Sequence, residues 1–211
     1  MSIVDFHTHR LNATDAMISV NPSQFDPQPG QWYSVGFHPW HDVDILTDDD
    51  FSRLERCAHH DQVLAIGETG MDALRGASLE IQARVFERHL SIAAAVNKPL
   101  VVHSVRTAQN ILSVRHRSGQ TDVPLAIHGM RANANVARTL LDAGCYLSFG
   151  PRFNPAALLI TPLDRLLIET DDGDITIDKV AAAVADALHL TATQVMSLAS
   201  TNAATFLHLP Q

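Results

Sequence analysis

Short apolar runs recur along the chain, and segments with helical periodicity separate most of them. The runs are IVDF, AMISV, WYSVGF, VLAIG, PLVV, PLAI, CYLSF and RLLIE. Several are continuous and rich in Val, Ile and Leu, which is typical of parallel strands that are buried on both faces. The pattern therefore predicts a parallel sheet of eight strands.

Apolar residues at three- and four-residue steps predict five helices, at 48–61, 78–97, 134–144, 177–190 and 192–207. Thr47 is a suitable N-cap for the first of these, and Gly144 ends the third. Thr191 with Gln194 forms a capping box at the start of the last. Strands that alternate with helices favour an α/β fold.

Eight such strands predict a TIM-like (β/α)8 barrel that forms a single domain over residues 1–211. Barrels of this kind typically need about 250 residues, whereas this chain has 211. The shortening lies early, because only NPSQFDPQPGQ, with three prolines and a glycine, separates the second run from the third. We therefore expect eroded early helices, with little or no helix in residues 10–35.

Composition excludes several classes of protein. The net charge is −8, from 15 basic and 23 acidic residues, which argues against a broad electrostatic footprint for duplex DNA. No apolar run reaches the roughly 18 residues of a membrane helix, and the N-terminus lacks a secretory pattern. The two cysteines form no CxxC pair and no disulfide framework. We expect a cytoplasmic monomer with no membrane partner.

Residue types that bind metals follow six of the apolar runs. In MSIVDFHTHR, His7 and His9 lie two residues apart and so point to the same face of a strand. The later runs end in one such residue each, namely His38, Glu68, His103, His128 and Asp171. Any one of these alone could be an ordinary core or surface residue. Because the carboxyl ends of barrel strands share one face, their coincidence favours a metal centre, and histidines together with two carboxylates suit two ions.

The segments DFHTH, GFHP, IGETGMD, PLVVHS, IHGM and ETD resemble, in order and spacing, the TatD-type metal-dependent hydrolases, an amidohydrolase-like family related to deoxyribonucleases. The closing TNAATF resembles the last helix of that family. The resemblance covers nearly the whole chain and indicates a short variant with the TIM-barrel fold. It implies two divalent ions of Zn, Mg or Mn type. Glu68 would bridge them, one ion being held also by His7, His9 and Asp171, and the other by His103 and His128.

The chain departs from the family pattern in three places. HSVR has Val105 where the family usually has arginine, and Arg106 follows one residue later. ETDDGDITID lacks the usual Ala-Pro and the long substrate-side loop after Asp171. The early helices are cut down. The first two departures concern substrate contacts, and none concerns the metal ligands.

The resemblance implies hydrolysis of a phosphodiester by water that two metal ions activate, with Glu68 and Asp171 as the catalytic carboxylates. Asp171 is the candidate proton acceptor, and the alternative is that it serves only as a ligand. His38 would contact a substrate phosphate or hydrogen-bond a metal ligand. Trp40 would stack on a base or only pack the barrel rim.

Arg10, Arg106 and Arg152 are candidate phosphate anchors, with a solvated surface arginine as the alternative for each. The acidic charge and the missing loop favour the end of a single-stranded nucleic acid or a small phosphoester as substrate. One alternative is amidohydrolase-type cleavage of an ester, amide or lactone. Many such enzymes bridge their metals with a carboxylated lysine, whereas Lys98 precedes its strand and Lys179 lies in a helical pattern. The other alternative is a metal-binding scaffold without catalysis.

Overall fold

The computed structural model describes residues 2–209 and contains eight parallel strands that form a closed barrel in chain order. The strands are β1 (Asp5–Thr8), β2 (Ala16–Val20), β3 (Trp32–Val35), β4 (Val63–Asp72), β5 (Leu100–Val105), β6 (Leu125–Ile127), β7 (Tyr146–Phe149) and β8 (Leu166–Ile168). Each overlaps one of the apolar runs. The predicted (β/α)8 architecture is confirmed.

Residues 2–209 contain seven α-helices: α1 (Asp48–Ala58), α2 (Leu79–Val96), α3 (Ala108–Arg117), α4 (Ala134–Asp142), α5 (Pro155–Leu159), α6 (Ile177–Leu188) and α7 (Ala192–Phe206). Residues 10–35 contain no helix, as predicted. The periodicity missed α3, which buries only Ile111 and Val114, and α5, which has five residues. Within the described range, no helix combines the length and apolar character that crossing a membrane requires.

The predicted caps are present. At α1, the Thr47 side chain accepts from the Asp50 backbone N–H, and the Asp50 side chain accepts from the Thr47 N–H. Thr191 and Gln194 form the same reciprocal pair at α7. Gly144 follows the end of α4 with φ +80°, a left-handed conformation that suits glycine. These local signals fix where three of the helices begin or end.

The chain divides into two compact units, which are described separately. The terminal unit contains the residues up to Ile18 and those from Ala126 onward, and the central unit contains Ser19–Leu125. In the terminal unit, β1 pairs with β2 and β8, and β7 pairs with β6 and β8. Phe6 packs against Phe206 with ring centroids 5.5 Å apart. Asn202 donates to two main-chain carbonyls that flank the start of β8, so the closing TNAATF segment anchors α7 to that strand.

In the central unit, β4 lies between β3 and β5. Gly67 and Gly70 of β4 have φ values of +130° and +138°. A Cβ atom at Gly67 would collide with the carbonyl oxygen of Val101, and one at Gly70 with that of His103. Glycine at both positions therefore lets β4 approach β5 closely on either side of Glu68.

Candidate metal centre

The terminal unit brings four of the predicted ligands together. His7, His128 and Asp171 each offer one ligand atom, and these three atoms lie within 4.8 Å of one another. Nε2 of His7 lies 3.8 Å, and Nε2 of His9 3.7 Å, from Oδ1 of Asp171. The rings of His7 and His128 have centroids 4.3 Å apart. Nε2 of His7 and Nε2 of His9 thus both lie near the same carboxylate oxygen.

The backbone fixes Asp171 against the end of β1. The Asp171 N–H donates to the His7 carbonyl at 2.9 Å, and the His9 N–H donates to the Asp171 carbonyl at 3.2 Å. Asp171 has φ +55°, a region that residues other than glycine seldom adopt without local support. The two hydrogen bonds supply that support and hold the carboxylate beside the histidines.

The central unit brings together His38, Glu68 and His103, whose ligand atoms also lie within 4.8 Å of one another. Oε1 of Glu68 is 2.9 Å from Nε2 of His38 and 3.0 Å from Nδ1 of His103. The Trp40 backbone N–H donates to Nδ1 of His38 at 3.1 Å. A neutral His38 therefore carries its proton on Nε2 and donates it to Glu68. This geometry matches the predicted alternative in which His38 hydrogen-bonds a metal ligand.

Asp72 contacts the ring nitrogen of His103 that does not face Glu68. Its Oδ2 lies 3.2 Å from Nε2 of His103 and accepts from the Trp40 indole N–H at 2.6 Å. Burial raises the pKa of Asp72, but hydrogen bonds from the Leu74 N–H, Trp40 and His103 outweigh it and bring the pKa below its ordinary value. An ionised Asp72 accepts the proton on Nε2 of a neutral His103, which leaves the lone pair of Nδ1 for a metal ion.

Trp40 is held at its edge and on one face. Besides its bond to Asp72, the ring carries the Arg75 guanidinium 4.1 Å from its centroid. The residue remains 41% exposed. The side chain of Gln82 donates to the carbonyls of Asp72, Arg75 and Ala77, and so fixes the loop that carries the arginine.

Glu169 contacts a predicted metal ligand and was not among the residues predicted from the sequence. It is fully buried, and its Oε1 accepts from the Gly129 N–H at 2.7 Å and from Nδ1 of His128 at 3.3 Å. A proton on Nδ1 leaves Nε2 of His128 as the metal-binding atom. The available signal was the position of Glu169 directly after the last buried run, two residues before Asp171.

Asp5, the first residue of β1, and Arg10, which follows that strand, both contact Thr170. The Asp5 carboxylate accepts from the Thr170 N–H at 2.9 Å and from its hydroxyl at 2.6 Å. Burial raises the pKa of Asp5 to about 6, although the hydrogen bonds from Thr170 lower it. Arg10 donates to the Thr170 hydroxyl at 2.9 Å and lies 3.7 Å from Asp5. Arg10, a candidate phosphate anchor, therefore already hydrogen-bonds Thr170 and pairs with Asp5.

The other predicted anchors, Arg106 and Arg152, are exposed. Neither forms an ion pair with another described residue. Arg131, which the sequence reading did not single out, lies 3.9 Å from Oδ2 of Asp171 through its terminal nitrogen. Arg131 therefore lies beside Asp171, a predicted metal ligand.

The donor sets fit divalent metal ions. Each group combines imidazole nitrogens with a carboxylate oxygen, a mixture that suits zinc, manganese and related ions. Oε2 of Glu169 is buried and has no hydrogen-bond partner among residues 2–209. Because buried carboxylates require pairing, a cation nearby would compensate this cluster.

Comparison with known proteins gives consistent results. The family model described as TatD related DNase matches residues 25–208. The metal-dependent hydrolase TatD of Mycobacterium tuberculosis is 33% identical in an alignment of 151 residues that covers 65% of this chain and 56% of that protein. The 3'-5' ssDNA/RNA exonuclease TatD of Cronobacter turicensis is 32% identical in an alignment of 152 residues that covers 67% of this chain and 57% of that protein. The chain therefore spans a little over half the length of these relatives.

A solved structure agrees in fold. The crystal structure of YjjV, a TatD homologue from Escherichia coli K12, superposes with a TM-score of 0.82 at 17% identity and covers 99% of this chain and 98% of that one. At this identity the likeness concerns the fold alone. The family model, which matches most of the sequence, shows that the chain belongs to the TatD-related DNase family.

Proposed function

We propose that the chain is a divalent-metal-dependent hydrolase that cleaves phosphodiesters at the ends of single-stranded nucleic acids or in small phosphoesters. The observation that carries this proposal is the pair of groups in which histidine nitrogens and a carboxylate oxygen lie within 4.8 Å of one another. Membership of the TatD-related DNase family supports it, as does the exonuclease name of the Cronobacter relative. The alternatives are an amidohydrolase that acts on an ester, amide or lactone, and a non-catalytic scaffold.

Two ions, zinc, magnesium or manganese, are proposed to bind here. By the family resemblance, His7, His9 and Asp171 would hold one ion, His103 and His128 would hold the other, and Glu68 would serve both. Family resemblance supports this division, and the donor types of each group support the binding of metal as such. When bound, the ions supply Lewis-acid charge that lowers the pKa of water and balances the developing negative charge on phosphate.

The residues of the chain have defined tasks in this reaction. Asp171 accepts a proton from the attacking water as the water oxygen bonds to phosphorus and the ester P–O bond breaks. The departing alkoxide takes a proton from solvent. His38 donates to Glu68 and so orients it. Arg106 and Arg152 are proposed to contact phosphates farther along the substrate, and Trp40 to stack on its terminal base.

The substrate class follows from charge and exposure. With a net charge of −8, the protein contacts few phosphates, so its affinity for single strands should fall only shallowly with salt. Trp40 is 41% exposed, which leaves ring surface for stacking on an unpaired base. We further propose that the chain acts as one domain and as a cytoplasmic monomer.

The test is a substrate panel with metal-loaded protein. It contains single-stranded oligonucleotides labelled at either end, bis(p-nitrophenyl) phosphate, p-nitrophenyl phosphate, a neutral ester and an amide. We expect stepwise shortening of the oligonucleotides and cleavage of the diester, both abolished by EDTA and by Asp171→Asn. His116→Ala, at an exposed site on α3, is the matched control and should retain full activity.

Two other outcomes would replace the proposal. Cleavage of the ester or amide with all phosphodiesters left intact would identify the amidohydrolase alternative. Stoichiometric metal binding without turnover of any member of the panel would identify the scaffold.

A further inference from the structure

We infer that Arg131 forms a binding position for one phosphoryl group of the substrate, directly beside Asp171. This inference deepens the proposed function and rests on it for the identity of the substrate. Arg131 lies in the turn between β6 and α4, three residues after His128. No arginine at this place was among the anchors predicted from the sequence.

The turn that presents Arg131 is fixed on both sides. The Gly129 N–H donates to Oε1 of Glu169 at 2.7 Å, and the Met130 N–H donates to the Ser148 carbonyl at 2.9 Å. The Met130 side chain is buried. Gly129 has φ +59°, which glycine adopts without a steric penalty. The backbone of Arg131 is thus held by β7 and by the residue that follows β8.

The two carboxylate oxygens of Asp171 face different partners. Oδ1 lies near Nε2 of His7 and His9, at 3.8 and 3.7 Å. Oδ2 lies 3.9 Å from the terminal nitrogen of Arg131. At that distance the arginine contact is an ion pair and not a hydrogen bond. The side chain of Arg131 is 49% exposed, so the N–H groups of its guanidinium remain available to a ligand.

These features suit an anion that reaches the metal centre. A guanidinium presents a planar fork of N–H donors that matches two oxygens of a phosphate. Arg131 adds such a fork beside the carboxylate proposed to take the proton from water. Substrates with a charged phosphoryl group should therefore depend on Arg131, whereas neutral esters should not.

The experiment compares Arg131→Gln and Arg131→Lys with Arg138→Gln, an exposed arginine of α4 in the same unit. Binding of inorganic phosphate to the metal-loaded proteins is measured by calorimetry, and kcat and KM are measured with bis(p-nitrophenyl) phosphate. Metal content and thermal unfolding are determined for every variant. The phosphate Kd gives a result that does not require turnover.

For Arg131→Gln we expect a phosphate Kd and a diester KM raised about tenfold or more, with kcat changed less than threefold. Metal content should stay unchanged. Arg131→Lys should recover part of the loss because it retains the charge but not the fork. Arg138→Gln should match the wild type in all measurements.

An unchanged phosphate Kd in Arg131→Gln would overturn the inference. Loss of bound metal in parallel with the weaker phosphate binding would also overturn it, because Arg131 would then act by positioning Asp171. If the wild type cleaves no phosphodiester, the proposed function fails, while the phosphate titration still decides the role of Arg131.

Discussion

His89 of α2 gives a pH-dependent stability that can be worked out from its surroundings. It is fully buried and packs against the rings of Phe37 and Phe51. The Phe37 N–H donates to Nε2 at 3.0 Å, and Nδ1 lies 2.7 Å from the Val85 carbonyl. The imidazole is therefore neutral, with its proton on Nδ1. Burial lowers the pKa of His89 to about 4 from its ordinary value of 6.5, although the bond to Val85 raises it.

The sign and size of the effect follow from this pKa. Below pH 6.5 the unfolded chain protonates at His89, whereas the folded chain does not until about pH 4. The stability contribution is therefore complete above pH 6.5 and falls as the pH drops through this window, by about 1.4 kcal/mol per pH unit. The total loss between the two pKa values is about 3 kcal/mol.

The assay is urea unfolding of metal-free protein at several pH values between 7 and 4.5, for the wild type, His89→Leu and the exposed control His116→Leu. Asp5, whose folded pKa is raised to about 6, stabilises the fold as pH falls from about 6 toward 3.8, so the wild-type curve alone mixes opposite effects. The difference between variants isolates His89.

His89→Leu should be less stable at pH 7 by about 1–3 kcal/mol, because the Phe37 N–H loses its acceptor. It should then lose less stability than the wild type on acidification, so that the two curves converge toward pH 4.5. His116→Leu should run parallel to the wild type. Parallel curves for wild type and His89→Leu would refute the buried neutral histidine.

Four further predictions concern the metal centre. Glu68→Gln should lower activity at least a hundredfold and weaken occupancy of both ions, whereas His59→Ala should be nearly neutral; metal analysis with unchanged stoichiometry would contradict the shared role of Glu68. Glu169→Gln should weaken metal binding about 10- to 100-fold, because the carboxylate no longer fixes the tautomer of His128; calorimetric titration that matches wild type would exclude this. Trp40→Phe should retain more oligonucleotide affinity than Trp40→Ala if stacking is its role, and equal losses would assign it to the Asp72 contact instead. Chelation should lower the unfolding temperature, because the ions bind only the folded chain; an unchanged temperature would argue against bound metal.

The strands and the ligand-type residues near their carboxyl ends were predictable from the sequence because two patterns occur together. Continuous apolar runs mark the buried strands, and a ligand-type residue follows six of these runs, although β4 and β5 extend beyond Glu68 and His103. The absence of helix in residues 10–35 followed from prolines in the loop. These features are encoded locally, by residues adjacent in the chain.

The supporting contacts were not predictable because they join residues that are distant in sequence. Glu169 meets His128 across 41 positions, and Trp40 meets Asp72 across 32. The inferred role of Arg131 depends on its contact with Oδ2 of Asp171. The orientation of that carboxylate depends in turn on the left-handed backbone of Asp171, at φ +55°. Helix α3 was not predicted because its apolar residues show only a weak helical pattern. Tertiary packing, which a short sequence window does not contain, decides the structure there.

The hydrogen bonds between Asp5 and Thr170 span 165 positions, and this separation bears on synthesis of the protein. The central unit is one continuous stretch of chain, whereas the terminal unit is assembled from both of its ends. On the ribosome, His7 and His9 emerge long before Asp171 exists to face them. Loop closure over such a distance is slow compared with local contacts. The nascent chain therefore carries two exposed imidazoles through most of translation, and the ligands of the terminal unit meet only once β8 has left the exit tunnel.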